Sequence, residues 1–301
     1  MIERYFQFLG EDQTIQLLKA NEIPLTPSIR VNSLKIEVQI LENRLKAKGF
    51  KLEPINWISH GFNVIKAPNS LGSTHEFLQG YYYLQSVATM IPPLVLQPAP
   101  GETVIDMCAA PGGKATHLAQ IMNNEGNLIL IERNLKRIPA LETNIRRMGV
   151  MNSIIINEDA VNLSKMNLMA DKILLDAPCT GEGLIKQDPS RKKSKTMKDI
   201  EKLSAVQRKL LQAGLNSLNL GGQLLYSTCS IAPEENELVV DEVLKDCSNY
   251  TIVRIPIKYG VNGITEVYNK TLREDIKYSQ RLYPHIHNTI GFFVCLIQRN
   301  I

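Results

Sequence analysis

Two cysteines in this chain sit where a thiol could do chemistry instead of filling a core. Cys179 lies in Asp176-Ala177-Pro178-Cys179-Thr180 and Cys229 in Ser227-Thr228-Cys229-Ser230, each in a polar turn that follows an apolar run. A thiolate in such a turn is a nucleophile able to form a covalent intermediate, and turns at strand ends carry function more often than the strands themselves. Cys247 ends a helical stretch and Cys295 lies inside an apolar run, so both read as packing residues. With Cys108 the chain has five cysteines, no two closer than 18 positions, which fits neither a disulfide framework nor a CxxC metal knuckle. His285 and His287 are too few to add a ligand set, so no metal is expected.

A second constellation is Asp106-Met107-Cys108-Ala109-Ala110-Pro111-Gly112-Gly113-Lys114, which leaves the run Thr103-Val104-Ile105 and enters a helical stretch. Gly112 and Gly113 allow a backbone turn that a ligand can approach closely. A Walker loop is excluded because Cys108 and Ala115 stand where Gly and Ser or Thr are needed, and the fingerprint G-x-G-x-x-G is absent. Glu132 ends the next apolar run, 20 residues beyond Gly112, where a carboxylate can accept both ribose hydroxyls. Asp159, just past the third run, is placed to meet an adenine edge. Two acids without a diphosphate cradle point to a nucleoside cofactor, of which S-adenosylmethionine is the common one.

The elements that must position these residues follow from periodicity. Thr103–Asp106, Leu128–Ile131, Ile154–Ile156 and Lys172–Asp176 are short aliphatic runs separated by helix-length stretches, the pattern of buried parallel strands with crossover helices. A helix over 200–218, a strand over 223–227, a helix opened by Pro233 and a last strand over 290–297 complete an α/β, doubly wound reading. Ligands in such sheets bind outside the carboxyl ends of the strands, so both cysteine turns would converge on the cofactor crevice. Residues 1–96 differ: a polar helical start, the segment Ser28 to Lys35, a helix near 36–48 and a short strand over 62–65. Pro92, Pro93, Pro98 and Pro100 mark a boundary near 96, dividing a small α+β N-terminal domain (1–96) from a sheet domain (97–301). Tyr81, Tyr82 and Tyr83 read as core or interdomain packing.

Composition bounds the partners. The chain has 301 residues, 44% apolar and 21% charged, with a net charge of +4, which excludes a disordered chain. It holds no uninterrupted apolar run of about 20 residues, and its start carries no secretory signal, so a cytoplasmic protein off the membrane is expected. Residues 186–198 hold six basic residues and one acid, leaving the rest of the chain near −1. Lys186, Arg191, Lys192 and Lys193 in that run are expected to meet backbone phosphate.

Three motifs in order, Asp106 to Lys114, Asp176 to Thr180, and Ser227 to Ser230 followed by Pro233-Glu234-Glu235-Asn236-Glu237, resemble the Nop2/Sun/RsmB family of RNA cytosine-5 methyltransferases. The likeness extends from Arg30-Val31-Asn32 to Tyr283-Pro284-His285 and Gly291-Phe292-Phe293. It implies a Rossmann-like class I methyltransferase sheet, S-adenosylmethionine as cofactor, and addition of a thiolate to cytosine C6 so that C5 can take a methyl group. The residues alone leave open which thiol attacks, because DNA cytosine methyltransferases place theirs in a Pro-Cys turn like Pro178-Cys179. The resemblance assigns attack to Cys229 and assistance in release to Cys179.

The same resemblance implies cofactor contacts at Cys108, Ala109, Ala110, Pro111, Gly112, Gly113, Lys114, Glu132, Arg137, Asp159 and Asp176. Glu132 stands where many members have Asp. Asp176 would also meet the amino and N3 edge of cytosine, protonated or sharing a proton, with Lys114 supplying positive charge. Arg30 and Asn32 become candidates for RNA contact, and the target base must be unstacked to expose C6. The compact layout resembles archaeal tRNA methylators, so a monomer acting on tRNA is expected. An enzyme for ribosomal RNA and a non-catalytic RNA-binding factor on the same scaffold are the competing readings.

Overall fold

In a computed structural model that describes residues 2–301, the chain opens with helices α1 (Ile2–Leu9) and α2 (Glu11–Ala20). A four-stranded antiparallel sheet follows, built from β1 (Ser28–Val31), β2 (Lys51–Ile55), β3 (Ile58–Lys66) and β4 (Tyr82–Leu84) in the order β2-β3-β1-β4. Helix α3 (Val38–Ala47) packs Leu41 and Leu45 against Ile29, Val31, Phe62 and Val64 of this sheet, and the short α4 (His75–Leu78) precedes β4. β2 carries Pro54, which cannot donate to a ladder, and lies at the sheet edge where that omission is harmless.

The rest of the chain builds one larger sheet. Helix α5 (Val87–Leu96) leads to β5 (Thr103–Asp106), α6 (Gly113–Ile121), β6 (Asn127–Ile131), α7 (Ile138–Met148), β7 (Ser153–Ile156) and β8 (Ala170–Asp176). Then come α8 (Met197–Asn216), β9 (Leu218–Thr228) and α9 (Glu237–Leu244). The final part holds β10 (Tyr250–Ile252), β11 (Val261–Asn262), the ribbon β12 (Glu266–Val267) with β13 (Lys270–Thr271), β14 (Gln280–Leu282), α10 (Pro284–His287) and β15 (Phe292–Arg299). Strand order is β11-β14-β15-β9-β8-β5-β6-β7, with β10 also paired to β15. β5 to β9 are parallel, and β15 returns antiparallel to β9.

Alternation along the strands feeds two cores. Ile173, Leu175, Tyr226 and Phe293 face one layer with Leu211 and Val239, whereas Leu174, Leu225, Phe292 and Val294 face the other with Ile91 and Leu118. Strands apolar on both faces must be covered on both faces, which is why helices flank the parallel part. The helix expected over 200–218 runs over 197–216 and is opened by a Thr196–Asp199 capping box. Pro233 opens a 3₁₀ turn, Pro233–Glu235, and α9 begins only afterwards.

Two features depart from the expected layout. Pro92 and Pro93, read as punctuation, are buried inside α5, whose Ala88, Ile91, Val95 and Leu96 belong to the core of the large sheet. The first helices also leave the small sheet: Tyr5 and Leu17 pack with Ile231 and Tyr283, and Arg4 bridges Glu182 (3.0 Å) and Glu234 (2.9 Å).

Arg281 on β14 is buried and directs Nη1 at both oxygens of buried Glu237 (3.0 and 3.1 Å), while Nη2 donates to the carbonyl of Ile231. The pair thus fixes the chain on the far side of the Cys229 turn. Removing one partner leaves an uncompensated buried charge, so Arg281→Ala should lose about 3–5 kcal/mol of stability, read as a lower urea midpoint at unchanged slope. A loss below about 1 kcal/mol, the range of exposed pairs, would contradict the assignment.

Candidate active site

Register explains why two turns 50 residues apart meet. β8 and β9 are adjacent and parallel, with Asp176 opposite Ser227, so both strands end at the same level. Cys179 and Cys229 follow those partners by three and two residues and come out together at the carboxyl ends of the strands, their sulfurs 3.1 Å apart. Ser227 Oγ donates to Asp176 Oδ1 at 2.9 Å, and Lys114 Nζ, from the first turn of α6, donates to Asp176 Oδ2 at 2.6 Å. β5 delivers α6 to this end of the sheet because it pairs with β8 on the other side.

The electrostatics separate the two thiols. The hydrogen bond to Cys229, followed by burial, pushes the Cys179 thiol well above its ordinary value, so Cys179 holds its proton. Burial pulls the Lys114 ammonium down, but the charge and hydrogen bond of Asp176, with Cys229 adding to them, leave it above its ordinary value. Asp176 was expected to carry or share a proton. Each of its oxygens faces a donor, Oδ2 the Lys114 ammonium and Oδ1 the Ser227 hydroxyl, an arrangement in which a proton can be shared with Lys114.

A cavity of about 440 Å³ gathers Cys108, Ala110, Glu132, Arg137, Asp159, Asp176, Cys179 and Cys229. Met107, Ala160, Pro178 and Leu210 give it apolar walls. A larger open groove, about 1040 Å³, lies near Leu244 and Tyr278 and includes neither thiol. Glu132 is nearly buried; its Oε1 accepts from the amide of Asn134 (2.8 Å) and its Oε2 faces Arg137 Nη1 (3.3 Å). Arg137 also donates to the carbonyl of Ala110 and so ties the acid at the end of β6 to the glycine loop. Asp159 accepts from the amide of Val161 (3.1 Å), and Arg133 stands 3.7 Å away.

Within the loop the roles divide. Ala109 donates its amide to Ile131, and Pro111, Gly112, Gly113 and Lys114 lie outside the cavity lining. Gly112 has φ +105°, and a side chain there would also press on Leu141 at 3.2 Å, so this glycine serves the turn into α6. Beneath the loop, Asp106 Oδ1 accepts from the amide of Cys108 (3.2 Å), while buried Oδ2 has no hydrogen-bond partner among the described residues. The two strand-end acids, the apolar walls and the lack of a phosphate cradle fit S-adenosylmethionine, a nucleoside with a charged amino-acid tail.

Three expected RNA contacts are corrected. Arg30 is wholly buried and donates to Gln85 (2.9 Å), Thr116 (2.8 Å) and Gln120, because β1 is an inner strand facing α6 and not a sheet edge. Asn32 Nδ2 donates to the carbonyls of Gly80 and Met148, both at 2.8 Å, so it too joins the small sheet to the large one. Lys186 is buried, its Nζ on Asn288 (2.7 Å). Arg191 lines the cavity 3.3 Å from Asp188, Lys192 is exposed and pairs with Glu22 (2.5 Å), and Lys193 faces solvent. Sequence reading gave no role to Ser227, Thr180, Gln207, Glu235 or Asn236, all buried around the thiols. For Glu235 and Asn236 the signal was present as two polar residues in a short motif directly after the Cys229 turn.

Residues 93–298 match the family described as 16S rRNA methyltransferase RsmB/F, and residues 1–87 match the N-terminal domain of 16S rRNA methyltransferase RsmF. The chain belongs to the Nop2/Sun/RsmB family. It is 34% identical to a tRNA (cytosine(49)-C(5))-methyltransferase of Pyrococcus abyssi, across 99% of this chain and 95% of that one. It is 36% identical to the 25S rRNA (cytosine-C(5))-methyltransferase nop2 of Schizosaccharomyces pombe, across 99% of this chain and 50% of that protein. A 28S rRNA (cytosine-C(5))-methyltransferase of Mus musculus is also 36% identical, with 38% of its length matched. The chain therefore spans half or less of these ribosomal RNA relatives. A methyltransferase homolog from Pyrococcus horikoshii superposes with TM-score 0.90 at 42% identity, covering 99% of this chain and 93% of that one. NSun6 from the same organism, solved with SFG, gives 0.87 at 28% identity, covering 99% and 97%. The large sheet of this family member is a class I methyltransferase sheet.

Burial raises the Asp106 carboxyl to about 7. A carboxyl whose folded value lies above its unfolded value of about 4 binds more protons folded than unfolded, so it makes stability fall as pH rises through that window. Asp106→Asn keeps an acceptor for the amide of Cys108. Its melting temperature should therefore gain on the parent's between about pH 4 and pH 7, and a constant difference would contradict the assignment.

Proposed function

We propose that this chain transfers a methyl group from S-adenosylmethionine to C5 of cytosine in RNA, with tRNA as the substrate class, Cys229 as nucleophile and Cys179 as the releasing thiol. The observation that carries this reading is the pair of sulfurs 3.1 Å apart beside the Lys114–Asp176 ion pair, on the wall of a cavity suited to the cofactor. Glu132, Asp159, Cys108 and Ala110 would hold the cofactor, which when bound would supply an electrophilic methyl group.

The protein residues do the rest. The Cys229 thiolate forms a bond to C6, and the electron pair displaced toward N3 is met by the Lys114 ammonium, which Asp176 holds in place. Once Cys229 is a neutral thioether, Cys179 loses the hydrogen bond and the negative charge that kept its proton on. It then releases that proton to solvent and accepts the C5 proton. The C5–C6 double bond re-forms, the S–C6 bond breaks, and Cys229 leaves as thiolate. Net, C5–H becomes C5–CH₃ and one proton is released. Lys192 and Lys193 stand at the surface beyond the Cys179 turn, where a phosphodiester chain would meet positive charge. Support for tRNA is the end-to-end match with a tRNA enzyme; the family description, which names ribosomal RNA, supports ribosomal RNA as the second reading.

Bisulfite sequencing of tRNA and ribosomal RNA after incubation with enzyme and S-adenosylmethionine should show new 5-methylcytosine in tRNA, and label confined to ribosomal RNA would overturn that choice. Cys229→Ala should bring methylation to background while calorimetry still finds the cofactor bound. Retained methylation would move the attack to another thiol, and absence of methylation by the parent itself would return the chain to a non-catalytic scaffold. Cys179→Ala should accumulate an RNA adduct on Cys229, seen as a denaturant-stable gel shift, and rapid clean turnover would remove Cys179 from the release step.

A further inference from the structure

Glu235 and Asn236 are neighbours in the chain, both fully buried, and each grips a different cysteine turn. Glu235 Oε1 accepts from the amide of Thr180 (2.8 Å) and from Gln207 Nε2 (3.1 Å), and Oε2 accepts from Thr180 Oγ1 (2.5 Å). The same Gln207 nitrogen donates to the carbonyl of Pro178 (2.9 Å), so the residues before and after Cys179 are both held. Asn236 Oδ1 accepts from Thr228 Oγ1 (2.5 Å), and its Nδ2 donates to the carbonyl of Ser230 (3.0 Å), so the residues before and after Cys229 are held too. A buried carboxylate with no ion pair among the described residues is costly unless its donors are fixed. All three donors to Glu235 belong to the Cys179 turn or to the glutamine that braces it.

We propose that Glu235 and Asn236 form one positioning clamp that sets the separation of the two thiols, Glu235 registering Cys179 and Asn236 registering Cys229. Because the two residues are covalent neighbours, a displacement of either turn must be taken up within a single turn of chain. Neither side chain touches the reacting atoms. The proposal rests on the reading that Cys229 attacks and Cys179 releases. It adds that the two half-reactions can be separated by mutating the clamp: loss of the Glu235 grip misplaces the releasing thiol, and loss of the Asn236 grip misplaces the nucleophile.

The test uses the full-length protein with tRNA and S-adenosylmethionine, following methyl transfer to C5 and the denaturant-stable RNA adduct in one time course. Glu235→Leu should transfer a methyl group in the first turnover but slow release by about 100-fold, the effect of a misplacement near 1 Å, so that methylated adduct accumulates. Glu235→Gln, which retains an acceptor for the Thr180 amide and a polar partner for its hydroxyl, should restore release to within about tenfold, the worth of one hydrogen bond. Asn236→Ala should slow adduct formation itself and show no accumulation. Should Glu235→Leu fail to fold, Thr180→Val removes only the hydroxyl contact and should also accumulate adduct. Cys179→Ala run alongside separates the two levels: if it accumulates adduct and the Glu235 and Thr180 variants do not, the clamp is wrong and the thiol roles stand. If Cys179→Ala fails to accumulate adduct, the thiol roles themselves are wrong. Equal loss of both half-reactions in every folded clamp variant would also overturn the proposal, since it marks a general structural effect.

Discussion

β8 and β9 lie side by side in parallel with Asp176 opposite Ser227, and the site depends on that register. Because the strands end together, the three-residue step to Cys179 and the two-residue step to Cys229 bring two sulfurs to 3.1 Å without any unusual loop. β5, on the other side of β8, brings Lys114 onto Asp176 by the same logic. A one-residue slip of either strand would turn its side chains to the opposite face and carry its turn away from the other.

Two thiols this close cannot both carry charge cheaply, and the surroundings decide between them. The Lys114 ammonium stands near Cys229, whereas Cys179, half-buried like Cys229, has the carboxylates of Asp176 and Glu235 in its vicinity. The result is that Cys179 is the sulfur held in its protonated form. That inequality makes the pair useful for a reaction with an attack and a release, because covalent bond formation at one sulfur changes what the other can do with its proton.

The parallel strands were legible because strands covered on both faces must be aliphatic on both faces, as in Leu128–Ile131 and Lys172–Asp176. β10 to β14 were not, being two or three residues long with no period to detect. At the site, Cys179, Cys229, Glu132 and Asp159 were visible because chemistry restricts residue type at strand ends, whereas Asp176 and Lys114 came from the family resemblance. Arg30 was misjudged for the opposite reason: a charge inside a strand segment reads as surface, and its partners Gln85 and Gln120 lie 55 and 90 positions away. The roles of Glu235 and Asn236 depend on Thr180, Gln207, Thr228 and Ser230, contacts that appear only when β8, β9 and α8 are assembled.

The central claim is that Cys229 forms the bond to the base while Cys179 keeps its proton until that bond exists. RNA carrying 5-fluorocytidine tests it directly, because fluorine at C5 prevents the proton loss that precedes release and freezes the adduct on whichever sulfur attacked. Peptide mapping of the trapped complex by mass spectrometry should place the nucleotide on Cys229 alone. A nucleotide mapped to Cys179 would contradict the account.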